Sequence, residues 1–213
     1  MRGNNHGNYT RLYQTGCPEV REGLGTGRRG GYGRWKEILK PYASAYFISD
    51  LFDPEADFKD DARRLSNKDA SFDTVVCFEA LEHIDDTDAV VSEMYRVLKK
   101  DGYAIATIPF LYPLHGNPDD YSRLTPHGLE YRFKKAGFEI VRTGSIGSLM
   151  TVLEKFAKSK QKNYGRAGTP MIYWRMRAFF YLHQILKRLN RRYSYEDPHF
   201  FTHSYIITQK PYD

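Results

Sequence analysis

Asp69–Phe110 reads DASFDTVVCFEALEHIDDTDAVVSEMYRVLKKDGYAIATIPF. Thr74–Phe78 is an apolar run bounded by polar residues, the pattern of a buried strand. After it, Val90, Val91, Met94, Val97 and Leu98 recur at helical spacing, which predicts a helix over Asp86–Leu98. Asp85, Asp86 and Asp88 suit the positive end of that helix, and Lys99, Lys100 and Gly102 close it. "YAIATIPF" is the next strand. Strand, helix and strand in this order predict a mainly parallel sheet with helices against it.

The alternation continues outward in both directions. Upstream, Ala45–Ser49 is a short apolar run followed by Asp50, and Tyr32–Tyr42 reads as a helix ended by Pro41. Downstream, a helix is expected over Pro126–Ala136, stopped by Gly137, and a strand over "FEIVRTGS". Leu149–Ala157 reads as a short helix, and Met171–Asn190 as a longer one with a broad apolar stripe. "SYIITQKP", from Ser204, is a final strand-like run. Residues 1–24 are Asn/Gly/Arg-rich and read as a loose N-terminal segment ahead of a domain over 25–213.

The composition is that of a soluble globular chain, with 41% hydrophobic and 27% charged residues. The first ten residues have no apolar core, and no run of about 18 apolar residues occurs, so neither a signal peptide nor a spanning helix is expected. Cys17 and Cys77 form no disulfide framework and no metal pattern, so no metal ligands are assigned and a reducing cytoplasm is the expected setting. The net charge of +6 conceals an asymmetry. Residues 50–130 hold 18 acidic and 8 basic side chains, whereas residues 151–195 hold 1 acidic and 11 basic ones. A local basic surface is implied rather than a generally basic protein.

Ligands of open parallel sheets bind at the carboxyl ends of the strands. The residues at those positions are Asp50, Asp60 and Asp61, Glu79, and the segment after Pro109. A carboxylate there can accept two hydrogen bonds from a ribose diol. Gly25-Thr26-Gly27-Arg28-Arg29-Gly30 has the spacing of a nucleotide-binding glycine loop, although few apolar residues precede it.

Taken together, Ser71-Phe72-Asp73, Leu81-Glu82-His83, Tyr95-Arg96-Val97-Leu98-Lys99 and Asp101-Gly102 resemble the class I S-adenosylmethionine-dependent methyltransferases, in their type 11-like branch. "PFLYPLHGNPDDYSRLTPHGLEYRFKKAGFEIV" resembles members found in cell-surface glycan and lipid biosynthesis. The resemblance runs from about Gly25 to Gly147 and returns near Ser204. It implies an α/β fold with a doubly wound, mainly parallel, seven-stranded Rossmann-like sheet. The last strand would be antiparallel, and residues 149–195 a basic helical insertion before it. It implies S-adenosylmethionine as cofactor, with Gly25 and Gly27 at its methionine, Asp50 at the ribose, Asp61 with Ala62 at the adenine, and Glu79 and Leu81 alongside. The glycine loop departs from the family pattern: Gly23 stands where an acid is usual, and a glycine usual at Arg29 is displaced to Gly30.

The activity implied is methyl transfer, with oxygen of a small-molecule, glycan or lipid-linked acceptor as the expected target. His115, in the loop after "AIATI", is the candidate general base, since an ordinary histidine exchanges protons near neutrality. Tyr121 and Arg123 are candidate substrate contacts, Arg123 for an anionic group. His83 is read as structural. Two alternatives stay open: an RNA or protein methyltransferase, and a methyltransferase-like scaffold with impaired cofactor binding. The basic segment has three readings: packing on the sheet or a homodimer interface, peripheral contact of 171–192 with the inner face of the membrane, and nucleic-acid contact, ranked last.

Overall fold

A computed structural model describes residues 20–27, 43–51, 56–115, 119–164, 178–179, 181–182, 185 and 199–212. The strands are β1 (Val20–Gly27), β2 (Ala43–Ile48), β3 (Phe72–Phe78), β4 (Leu98–Pro109), β5 (Glu139–Ile146) and β6 (His203–Gln209). The helices are α1 (Thr87–Val97), α2 (Pro126–Lys135) and α3 (Leu149–Tyr164). One sheet contains all six strands in the order β2-β1-β3-β4-β6-β5. The first four are parallel, and β6 runs antiparallel to both β4 and β5.

The expected α/β architecture and antiparallel last strand are therefore present. The strand count differs. Among the described residues the sheet has six strands, and beyond β2 only an isolated parallel bridge, Ser49 to Phe58, extends it. Backbone bonds from Phe58 N to Ile48 O and from Asp50 N to Phe58 O, each 3.0 Å, hold that bridge. Among the described residues beside it, "ADFKDD" (56–61) is too polar to continue as a buried strand.

The first strand is a second difference. Val20–Leu24, read as the end of a loose segment, form the opening of β1, and Gly25–Gly27 lie in its carboxyl-terminal part rather than in a loop. β1 is central: Leu24 pairs with Phe47 on one side and Val75 on the other. Pairing on both sides fixes the strand through its backbone, which every residue type supplies. The expected helix over Tyr32–Tyr42 lies outside the described residues, as does most of Met171–Asn190. α3 extends past Ala157 to Tyr164.

β3 is buried along nearly its whole length, as a strand covered on both faces must be. Its alternation sends Val75 and Cys77 into the main core with Val90, Met94, Leu129 and Phe133 of α1 and α2. Val76 and Phe78 face the other way and pack with Ile105 and Ile207. Each such side chain contributes about 1.5–3 kcal/mol by leaving water.

Both helices on the core face start on side-chain caps. The Asp86 carboxylate accepts from Ala89 N at 3.0 Å, and the Thr125 hydroxyl accepts from Gly128 N at 3.1 Å, with Pro126 in the first turn. Gly137, at φ +101°, reverses the chain after α2. No helix among the described residues is long and apolar enough to cross a membrane. Cys77 is buried, and Cys17 lies outside the described residues.

Candidate active site

The parallel register brings the ends of four strands to one edge. Gly25 pairs with Ile48 and Val76, Gly27 with Phe78, and Phe78 with Thr107. Gly27, Asp50, Glu79 and Phe110 therefore stand in a row where their strands stop. Because β6 is antiparallel, its beginning lies at the same edge, and His203 pairs with Pro109.

Glu79 turns away from β3 at φ +52°, its N–H bonded to Thr107 O at 3.2 Å. Its Oε1 accepts from the Thr107 hydroxyl at 2.8 Å, and its Oε2 lies 3.2 Å from His203 Nε2. Burial pushes this carboxyl up, but His203 and the threonine hydroxyl outweigh burial and hold it below the usual glutamate range. His203 is itself buried and bonds through Nδ1 to the Thr202 hydroxyl at 2.8 Å.

Next to this pair, the turn Leu81–His83 and residues 112–115 and 119–123 form a second cluster. Glu82 is fully buried, and neither carboxylate oxygen has a hydrogen-bond partner among the described residues. His83 Nε2 and His115 Nε2 lie 3.6 Å and 3.7 Å from its Oε1. The two imidazoles meet edge to face, with centroids 5.2 Å apart, and Tyr112 packs on His115 at 5.0 Å. The His115 N–H donates to Asp120 Oδ2 at 3.0 Å, and Tyr121 N donates to Glu82 O at 2.7 Å.

The structure sorts the residues singled out by the sequence. Gly25, Gly27, Asp50 and Glu79 share the edge. Asp61 is engaged by Arg63, which donates to it from N, Nε and Nη2 and reaches Asp85 through Nη1 at 2.7 Å. Those bonds hold Asp61 below the usual carboxylate range. Leu81, expected beside the cofactor, is 0% exposed and enclosed by the core, so its side chain faces no open space. Arg123, expected to bind an anion, instead grips Asp120 with both terminal nitrogens and donates to Ser122 O at 2.9 Å. Burial pushes Asp120 up, but Arg123 and the His115 N–H outweigh it and keep the carboxyl low. Tyr121 is 56% exposed, and its hydroxyl donates to Asp119 at 3.1 Å, which raises the phenol.

The sequence singles out neither Glu82 nor His203 as a site residue, and in it His83 reads as structural. A signal for His203 existed: in an antiparallel last strand the residues entering it, here Thr202-His203, lie at the ligand-binding edge.

Residues 40–106 match the family model described as "Methyltransferase domain". Over that stretch the chain is similar to a methyltransferase domain. S-adenosylmethionine is the cofactor of that family, and the domain match spans the segment from β2 through most of β4.

No curated protein sequence matches the chain. A protein of Bacillus halodurans C-125 assigned as a methyltransferase is similar in structure, at 16% identity over 96% of this chain and 99% of that one, with a TM-score of 0.60. Phosphoethanolamine N-methyltransferase 2 of Haemonchus contortus, solved with S-adenosyl-L-methionine, matches at 18% identity over 96% of this chain and 52% of that one, TM-score 0.56. The [4+2]-cyclase SpnF matches at 18% identity over 96% and 80%, TM-score 0.59. Identities this low establish the fold alone, and a fold hosts more than one chemistry.

Proposed function

We propose that this S-adenosylmethionine-dependent methyltransferase acts on a hydroxyl of a small-molecule, glycan or lipid-linked acceptor, with His115 as general base. The observation that carries the reading is the state of the His115 ring. Its Nδ1–H donates to Pro113 O at 3.2 Å, so Nε2, which lies 3.7 Å from Glu82 Oε1, carries the lone pair that can take a proton. A hydroxyl must lose its proton as it attacks carbon, so a positioned base suits oxygen as the acceptor.

S-adenosylmethionine, when bound, supplies a methyl already activated on a sulfonium. The chain's work is alignment and proton removal. In this reading the β1 backbone at Gly25 and Gly27 faces the methionine portion. The Asp50 carboxylate accepts from the ribose hydroxyls, and Asp61 stands toward the adenine. The ionised Glu79, braced by Thr107 and His203, supplies a fixed negative charge beside a cationic ligand, which is the feature that fits this cofactor. Tyr121 offers its ring to the acceptor, and Arg123 shapes the acceptor wall by holding Asp120.

A lipid-linked acceptor would be met at a membrane surface. The exposure of Phe179, Tyr181, Leu182 and Ile185 within the basic segment favours that contact. Flotation with anionic vesicles at low salt tests it, and absence of binding removes it.

Calorimetry with S-adenosylhomocysteine tests the central reading. Stoichiometric binding is expected, and Asp50→Ala should weaken it strongly. His115→Asn should keep that binding while methylation of hydroxyl acceptors falls by about 10²–10⁴-fold. A wild-type chain that fails to bind at high micromolar ligand would instead be a methyltransferase-like scaffold.

A further inference from the structure

The cluster around Glu82 contains an electrostatic conflict. His83 Nδ1–H donates to Asp119 O at 2.6 Å, and His115 Nδ1–H donates to Pro113 O at 3.2 Å. Carbonyl oxygens only accept, so in each neutral ring the proton sits on Nδ1 and Nε2 carries a lone pair. Both Nε2 atoms point at one oxygen of a carboxylate that is 0% exposed and has no donor among the described residues. Three acceptors thus converge with nothing positive between them. A buried carboxylate left in that state is costly.

A proton resolves the conflict poorly. Separations of 3.6 Å and 3.7 Å are too long for a hydrogen bond between nitrogen and oxygen. A metal ion resolves it well. With bonds of about 2.0–2.2 Å, ligand atoms around a tetrahedral ion stand about 3.3–3.6 Å apart. One ligand atom from each of Glu82, His83 and His115 lies within 4.8 Å of the other two. The surroundings also match what metal-binding histidines need. Each ring is oriented by the bond from its far nitrogen, and the Asp120 carboxylate lies 3.3 Å from His115 Nδ1, itself held by Arg123.

We propose that Glu82, His83 and His115 bind a divalent first-row transition ion of the zinc class. Two imidazoles and a carboxylate suit ions of borderline softness rather than magnesium or calcium. Three protein ligands leave a coordination position open, as in metal sites that receive an oxygen ligand. An ion and a proton would compete for the same His115 lone pair, so with the ion bound His115 is a ligand and not the base, and its role as base belongs to the metal-free chain. The inference does not rest on methyl transfer, because metal binding alone tests it. The sequence alone points to no metal, because the ligands come from one turn and a separate loop and their spacing matches no motif.

The test is a titration of the metal-stripped chain with Co²⁺. One equivalent should bind, with the visible ligand-field bands of a low-coordinate nitrogen and oxygen site, and Zn²⁺ should bleach them. Glu82→Gln and His115→Asn should each lower Co²⁺ affinity by at least about tenfold, the smallest loss expected when even an outer partner of a metal site is removed. His127→Asn, on the exposed surface of α2, should leave it unchanged. Circular dichroism of each variant checks the fold. Should the variants not fold, histidine side-chain nitrogen NMR of the wild-type chain gives the same answer. Zn²⁺ should then shift two Nε2 resonances whose rings carry their protons on Nδ1. No saturable Co²⁺ spectrum, a spectrum unaltered in folded Glu82→Gln and His115→Asn, or no paired Nε2 shift would overturn the proposal.

Discussion

Arg96, near the end of α1, fastens the polar connection that precedes β3. Its Nε and Nη2 donate to the two Glu93 oxygens at 2.8 Å and 2.7 Å. Its Nη1 donates to Asn67 O and to Asp69 Oδ1 at 2.8 Å and 2.7 Å, and Nη2 also donates to Leu65 O at 3.0 Å. Glu93 Oε2 accepts in turn from Leu65 N at 2.8 Å. Arg96→Ala removes all five donations at once. The Asp69 contact counts for little, because that carboxylate is 78% exposed. The Glu93 fork and the two carbonyl bonds remain, on a guanidinium that is 30% exposed facing a carboxylate that is 18% exposed.

Charge-assisted bonds are worth about 1.5–3 kcal/mol each, but these share one side chain and are partly wet, so the loss comes to about 3 kcal/mol. In a domain of this size that lowers the melting temperature by about 6–12 °C. Urea denaturation with a two-state fit is the assay, with thermal melting beside it. Arg96→Lys keeps the charge but not the planar fork, and should recover less than half of the loss. A loss below about 1 kcal/mol in Arg96→Ala, or near-complete recovery in Arg96→Lys, would refute the view that directional bonds hold this connection.

The same pair gives a pH dependence. The Arg96 bonds, above all, hold Glu93 below its ordinary value, so folding depresses its pKa. The stabilisation is complete above the unfolded glutamate value of about 4.3 and is lost as pH falls through the lower folded value. The stability gap between wild type and Arg96→Ala should therefore narrow in acid; a gap that is constant from pH about 7 to 3 would contradict this. At Gly137, a φ of +101° and Tyr95 ring atoms 3.2–3.3 Å from an added Cβ mean that Gly137→Ala pays for both backbone and contact. A loss of about 1–3 kcal/mol is expected in the same denaturation assay, and a neutral outcome would contradict it.

The parts of the fold that were legible carry their signal in side chains. β3 and β4 are apolar runs, α1 is periodic with acids at its start, and Gly137 marks the end of α2 within a residue. β1 was hard to read for a definite reason. VREGLGTG holds only two apolar residues, and the strand is specified by pairing with β2 and β3 rather than by its own pattern. The edge positions of Asp50 and Glu79 followed from counting strand ends. The fate of Asp61 and Arg123 did not, because each depends on a neighbour two or three residues away that competes for the charge. Glu82 looked like an ordinary polar residue in a turn. Its complete burial follows from how the turn is enclosed by the segments around it, which no local pattern shows.

The insertion of β6 between β4 and β5 has a consequence for how the chain is made. β5 touches the sheet through β6, its only strand partner among the described residues. A ribosome-bound chain that has emerged through β5 therefore holds two strands waiting for a third that is not yet synthesised. Glu79, likewise, waits without its histidine. Pairing across such a separation in sequence is slow to find and leaves apolar edges open in the meantime. Arrest of translation shortly before His203 should yield a chaperone-dependent intermediate, and completion of residues 203–209 should join the sheet and deliver the last side chain of the site in a single event.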